Sequence, residues 1–165
     1  MAHALMEQGK YNESLQNFQK ALELFQKTGN TESSQLSSVY SGLGALYGYM
    51  GKYKESLEYY KKGVDLDTLI HGSNSLAAAK AYTNLGLAYG NLGQFEESLK
   101  YHTRALEIKQ KKLSENDPEI AFSYNSIGTV MFRQGKLAPA LEYFEKTKQI
   151  YLSTFGEDHP NVLSV

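Results

Sequence analysis

The sequence predicts an all-α protein built as a solenoid of antiparallel helix pairs. Three observations carry that expectation. A 42-residue period runs through the 165 residues. Apolar residues inside each period recur at helical spacing, and no stretch alternates in the manner of a strand.

The period is clearest at glycine. Residues 41–48 read SGLGALYG, a density of glycine that suggests a loop wrapped around a phosphate. One and two periods later stand TNLGLAYG at 83–90 and NSIGTVMF at 125–132. Only Gly44, Gly86 and Gly128 recur in all three. A phosphate loop needs its glycines together in one copy, each with its own backbone task. One small residue returning at a fixed interval instead marks a structural repeat. Gly9, Gly51, Gly93 and Gly135 keep the same step and open the matching segments GKYNESL, GKYKESL, GQFEESL and GKLAPAL. Tyr40, Tyr82 and Tyr124 keep it too, as do Leu43, Leu85 and Ile127.

Within a unit, Tyr82, Leu85, Gly86 and Tyr89 fall at i, i+3, i+4 and i+7, one face of a first helix. Gly93 ends that helix, since glycine takes the left-handed turn without strain. Phe95, Ser98, Leu99, His102, Ala105, Leu106 and Ile108 give a second helix. Glu96 and Glu97 in its first turn suit the positive end of the helix dipole. In the last complete unit Pro139 takes the place of the matching glutamate, in a first turn where proline is tolerated. Polar connectors follow, and Asn116 or Asp117 before Pro118 reads as an N-cap with proline at the first helical position. Gly44, Gly86 and Gly128 are placed where the first helix crosses the second, so that a side chain there would push the two apart. The chain is thus one domain, 1–165, of units at about 1–36, 37–78, 79–120 and 121–162. The first helix is expected to be incomplete at Met1, and a further repeat to start before Val165. No polar capping helix is visible, so the ends are expected to stack on other molecules.

The pattern Tyr82-x-x-Leu85-Gly86-x-x-Tyr89, then Gly93, Phe95, and small residues at Ser98 and Ala105, resembles the tetratricopeptide repeat. The 42-residue unit, with a lead-in such as Gly156-Glu157-Asp158-His159-Pro160, is similar to that of kinesin light chains. Tyrosine stands for the usual first tryptophan, and serine for alanine at Ser14, Ser56 and Ser98. The resemblance implies a right-handed superhelix whose first helices line a concave face, a surface that holds peptides or partner helices. It also allows a test for the carboxylate clamp by which some relatives hold acidic chaperone tails. The clamp positions fall on Ser41, Ala45, Asn84, Phe122 and Ser126, of which only Asn84 matches, so that activity is not expected.

Composition excludes several classes. Net charge is −1, which gives no global attraction to nucleic acid or anionic membrane. There is no cysteine, hence no disulfide, thiol nucleophile or zinc-thiolate site. With no signal-peptide pattern and no run of membrane-spanning length, a cytoplasmic location is expected. The histidines His3, His71, His102 and His159 lack ligand spacing, and Gly48-Tyr49-Met50-Gly51-Lys52 lacks the spacing of a phosphate loop, so neither metal nor cofactor is expected. Lys109-Gln110-Lys111-Lys112 reads as a solvated face that complements the end of its helix. The thirteen tyrosines read mostly as core positions of the repeat. No nucleophile, base and orienter set is visible, so catalysis is not expected.

The expected function is therefore that of a scaffold that binds a peptide or helix of a partner protein. The alternatives are a self-associating structural segment, or a sensor or autoinhibitory segment of a signalling protein. By the family register the inward positions are Ser38, Ser41 and Tyr49 on one first helix. The next contributes Lys80, Thr83, Asn84, Leu87 and Asn91, and the third Phe122, Asn125, Thr129 and Arg133. Asparagine amides can both donate to and accept from a peptide backbone. Tyr49 and Phe122 offer apolar anchors, and Lys80 and Arg133 are positive. The expected partner segment carries an aromatic or leucine anchor beside acidic residues.

Overall fold

A computed structural model describes residues 9–157 and residue 160. Among the described residues it contains seven helices and no strand: α1 (Tyr11–Thr28), α2 (Ser34–Tyr49), α3 (Tyr53–His71), α4 (Leu76–Asn91), α5 (Phe95–Lys112), α6 (Pro118–Arg133) and α7 (Leu137–Phe155). The expectations for a partial first helix before Gly9 and for a further repeat after residue 162 lie outside the described residues.

Helix ends follow local chemistry. Ser33, Ser75 and Asp117 accept from the backbone N–H groups of Leu36, Ala78 and Glu119, which caps α2, α4 and α6. Pro118 opens α6, where its missing N–H costs nothing. The turns after α2, α4 and α6 are built alike. Gly51, Gly93 and Gly135 have φ of 72°, 73° and 77°. Around Gly93, its own N–H bonds the Gly90 carbonyl at 3.0 Å, and Gln94 N–H reaches back to the Tyr89 carbonyl at 2.9 Å. That is the Schellman arrangement, and it satisfies carbonyls that the helix end leaves open.

Each helix pair crosses at its recurring glycine, as the spacing predicts. A β-carbon on Gly44 would stand 2.7 Å from the Tyr60 ring, one on Gly86 2.9 Å from His102, and one on Gly128 2.9 Å from Phe144. The close approach brings a carbonyl into reach of the second helix. Ser56 Oγ donates to Gly44 O, and Ser98 Oγ to Gly86 O, both at 2.7 Å. Ala140 holds the corresponding place on α7 and has no hydroxyl to donate.

The core runs from pair to pair. Phe18 of α1 packs with Leu43 and Leu46 of α2; Tyr60 and Val64 of α3 pack with Ala81, Leu85 and Ala88 of α4; Leu106 of α5 and Ile150 of α7 enclose Ile120, Ala121 and Ile127 of α6. No pair buries its apolar face alone, which is why the unit must stack.

Most tyrosines pack against the core clusters, as their register predicts, but at the margin of the core. Of the thirteen only Tyr60 is buried. Most of the others are half-buried and stack on one another, and groove-lining Tyr49 stacks on Tyr11 at 6.5 Å. Tyr47 and Tyr59 stack at 5.4 Å, Tyr89 and Tyr101 at 5.5 Å. Lys62 lies 5.0 Å over the Tyr59 ring, and Lys146 5.2 Å over Tyr143. A phenol keeps its hydroxyl wet while its ring is covered, so a position of core register ends as a partly exposed stack.

Candidate functional site

Helices α2, α4 and α6 touch in sequence along one face, and the second helices α3 and α5 show between them. Three cavities follow that face. One of about 270 Å³ lies between α2 and α4 over α3. One of about 230 Å³ lies between α4 and α6 over α5. A third, of about 410 Å³, extends toward the starts of α4 and α6. Leu87 lines the first two, and Thr83, Asn84 and Phe122 line the second and third. The cavities therefore form one continuous groove.

Ten of the twelve inward positions line it. Tyr49 and Asn91 are at the α2–α4 end. Thr83, Asn84, Leu87, Asn125, Thr129 and Arg133 surround the α4–α6 cavity, with Phe122 between it and the third cavity, which Lys80 also lines. Ser38 and Ser41 line none of the three. Ser38 donates to the Ser34 carbonyl of its own helix, and Ser41 Oγ faces the position above Gly63 of α3. Thr83 and Thr129 also turn their hydroxyls to their own helix, donating to Ala79 O at 3.0 Å and Asn125 O at 2.8 Å. What the groove leaves open is more specific. Among the described residues the side-chain amides of Asn84, Asn91 and Asn125 have no hydrogen-bond partner, and Lys80 and Arg133 have no ion pair. Arg133 rests 5.2 Å over the Phe95 ring. Leu87, Phe122 and Tyr49 are 52%, 47% and 67% exposed, so three large apolar side chains face the groove largely uncovered.

Two groove residues escape the sequence reading. His102 fills the slot that Tyr60 and Phe144 fill in neighbouring units, lies under Gly86 and lines the α4–α6 cavity. Its Nδ1 is buried without a partner. Burial, and after it the nearby Lys109 charge, pushes its pKa down from 6.5 to about 4, so the imidazole is neutral at pH 7.

Lys109 corrects the reading of its basic run. Its side chain is buried, only 3% of the residue being exposed. Its ammonium donates to the Glu119 carbonyl at 3.2 Å and to Ser123 Oγ at 3.1 Å, and pairs with the Glu119 carboxylate at 2.9 Å. It stands 5.8 Å from the Phe122 ring. All of these partners belong to the first turns of α6, so Lys109 fastens that helix to α5 and fixes the place from which Phe122 enters the groove. A signal was available: His102, Ala105, Leu106 and Lys109 fall at i, i+3, i+4 and i+7, which puts the lysine on the buried stripe.

Among the described residues no three potential metal ligands cluster, and no helix is long and apolar enough to cross a membrane. Fold and groove together define a helical repeat solenoid with an open inner channel. The tetratricopeptide repeat family model matches residues 1–69 and 76–153, and the chain belongs to that family. Its members are generally non-enzymatic scaffolds for protein–protein interaction. No curated protein matches the chain significantly. Solved structures resemble it in fold. The crystal structure of BtubC (BKLC) from P. vanneervenii superposes with a TM-score of 0.84 at 23% identity, covering 96% of this chain. This chain spans 63% of that one. A putative kinesin light chain of Podosopora anserina with nearly identical TPR-like repeats gives 0.83 at 20% identity, over 99% of this chain and 77% of its own. MamA gives 0.66 at 21%, over 92% and 75%.

Proposed function

We propose that this chain is an interaction scaffold that holds a peptide or helical segment of a partner protein in the groove of α2, α4 and α6. One observation carries the reading. Three amides without a partner and two cations without an ion pair among the described residues share one continuous channel with three exposed apolar side chains. Asparagine amides can hydrogen-bond an extended backbone in both directions. Lys80 and Arg133 favour acidic residues in the partner, while Leu87, Phe122 and Tyr49 favour an aromatic or leucine anchor. The acids nearby are already engaged, Asp117 in capping α6 and Glu119 in pairing with Lys109. In this reading the chain performs no catalysis, needs no cofactor, binds neither nucleic acid nor membrane, and works in the cytoplasm.

The test is a nuclear magnetic resonance titration with a synthetic acidic peptide carrying one leucine or aromatic residue. Shifts at Asn84, Asn125 and Thr129 are the expected outcome. Shifts confined to the tyrosine stacks at Tyr82 and Tyr101, or to the ends, would contradict the groove.

A second reading, end-to-end self-association, is favoured by α7. Leu137 and Leu141 are exposed there, whereas Leu99, which holds the place of Leu141 on α5, packs against the α6 cluster. Light scattering over a range of concentrations decides it. Growth in mass supports association, and a strict monomer at high concentration refutes it.

A further inference from the structure

The two inner cavities are the same slot, one period apart. A step of 42 residues carries Gly48, Ser56, Tyr60 and Asn91 of the α2–α4 slot onto Gly90, Ser98, His102 and Arg133 of the α4–α6 slot. The construction is shared. A glycine on the first helix opens over a serine of the second, and a ring from the second helix forms the floor. A β-carbon at Gly90 would stand 3.1 Å from Ser98 Oγ, and one at Gly48 3.5 Å from Ser56 Oγ, so each slot owes part of its depth to the missing side chain. Leu87 lines both and forms the wall between them.

The chemistry of the two slots differs. Among the described residues no charged side chain lines the α2–α4 slot, whose surface is set by Tyr49, Tyr53, Tyr60, Leu87 and Asn91. Burial raises the Tyr60 phenol to about 12, so the floor stays uncharged. The α4–α6 slot is also lined mostly by apolar surface, Phe122 and Val130 included, but unlike the α2–α4 slot it holds a cation. Among the described residues Arg133 stands there without an ion pair, and the amides of Asn84 and Asn125 are without partners. Its floor is the neutral His102 in place of a phenol or phenyl ring.

We propose that the groove reads one ligand side chain per slot along a single extended segment of a partner protein: an apolar side chain between α2 and α4, and a carboxylate between α4 and α6. This rests on the groove reading above and adds to it a fixed assignment of chemistry to each repeat. The assignment follows from charge complementarity. A carboxylate gains a charge-assisted bond from the Arg133 guanidinium, with amide donors beside it. In the tyrosine-lined slot the same group would lose its water with no cation to replace it. The residues that set the reading are those that change from one period to the next, Tyr49 to Asn91 to Arg133 and Tyr60 to His102, while the glycine and serine that shape the slot stay.

The experiment is selection of random linear peptides displayed on phage against the full chain and two variants. His102→Phe with Arg133→Leu converts only the second slot. It keeps the fold, because Phe144 already occupies the same slot on α7 and Arg133 is exposed. Tyr49→Ser alters only the first slot, at an exposed residue. Thermal melting checks that both variants remain folded. The parent chain is expected to enrich peptides with two preferred positions at a constant separation, one apolar and one Asp or Glu. In the first variant the acidic preference falls by about tenfold or more, the size of one lost charge-assisted contact, while the apolar preference stays. In Tyr49→Ser the apolar preference weakens and the acidic one stays. Enrichment with a single preferred position, or variants that shift both preferences together, overturns the two-slot assignment and leaves the groove reading standing. If folded parent chain enriches no peptide, the groove reading fails and this one with it.

Discussion

A β-carbon at Gly86 would stand 2.9 Å from the buried His102 ring, so that the ring or the helix must shift to admit it. Gly86→Leu is therefore expected to cost about 1–3 kcal/mol by overpacking, read as a lowered urea midpoint. An unchanged midpoint would place the crossing elsewhere. His102 itself gives a pH dependence. Its pKa is about 4 in the folded chain against 6.5 when unperturbed. Between those values the unfolded chain binds more protons than the folded one, so stability rises with pH across the window and is lost as pH falls from about 6.5 toward about 4. The full effect is on the order of 3 kcal/mol, and His102→Phe should remove that part of the slope. Denaturant titrations of both proteins at pH 7, 5.5 and about 4.5 measure the difference. Equal slopes would mean that the ring is not held neutral by burial.

Lys109 and Gly93 act at the scale of the element. Lys109→Ala strips α6 of its fastening and leaves the Glu119 carbonyl and Ser123 with one donor fewer. A loss of about 1–3 kcal/mol in urea unfolding is expected, with a smaller loss for Lys109→Met, which keeps the apolar stem. Equal stability of Lys109→Ala and the parent would show that the ammonium holds nothing. Gly93→Ala forces an L-residue to φ near 73° and should cost about 1–2 kcal/mol, with Gly51→Ala and Gly135→Ala alike because the three turns share one geometry. These turns, the N-cap of α6 and the crossing glycines were legible in the sequence because each is fixed by residues within one or two turns and repeated at a constant step. The tyrosine stacks and Lys109 were not. The burial of Lys109 depends on Glu119 and Ser123 beyond the connector, and its exposed neighbours Lys111 and Lys112 make it look like one of a solvated set. Ser38 shows the opposite failure. Its register matches Lys80 and Phe122, yet a short hydroxyl bonded to its own helix does not reach the groove.

Across the whole molecule, the repeat fixes a channel whose wall residues vary while its frame does not. Glycine, serine and the buried leucines hold the helix pairs at a constant spacing. The inner positions are then free to change from Tyr49 to Asn91 to Arg133 without disturbing the stack. That separation explains why the fold could be read from the period, and why ten of the twelve inward positions lie on the groove, whereas the partner must be sought by experiment. Charge reversal at Lys80 and Arg133 should mainly slow association, and more so at low salt, since exposed cations act on the encounter. Asn84→Ala should weaken binding by about 1 kcal/mol or more where its amide meets a buried peptide group. The most direct measurement combines these changes: calorimetric affinity of the variant Lys80→Glu, Asn84→Ala, Arg133→Glu for a peptide that the parent chain binds, with melting temperature recorded alongside. A fall in affinity of at least about tenfold with the fold intact is the expected result. Undiminished affinity would contradict the account, and would move the binding surface to the tyrosine stacks at Tyr82 and Tyr101 or to the ends of the solenoid.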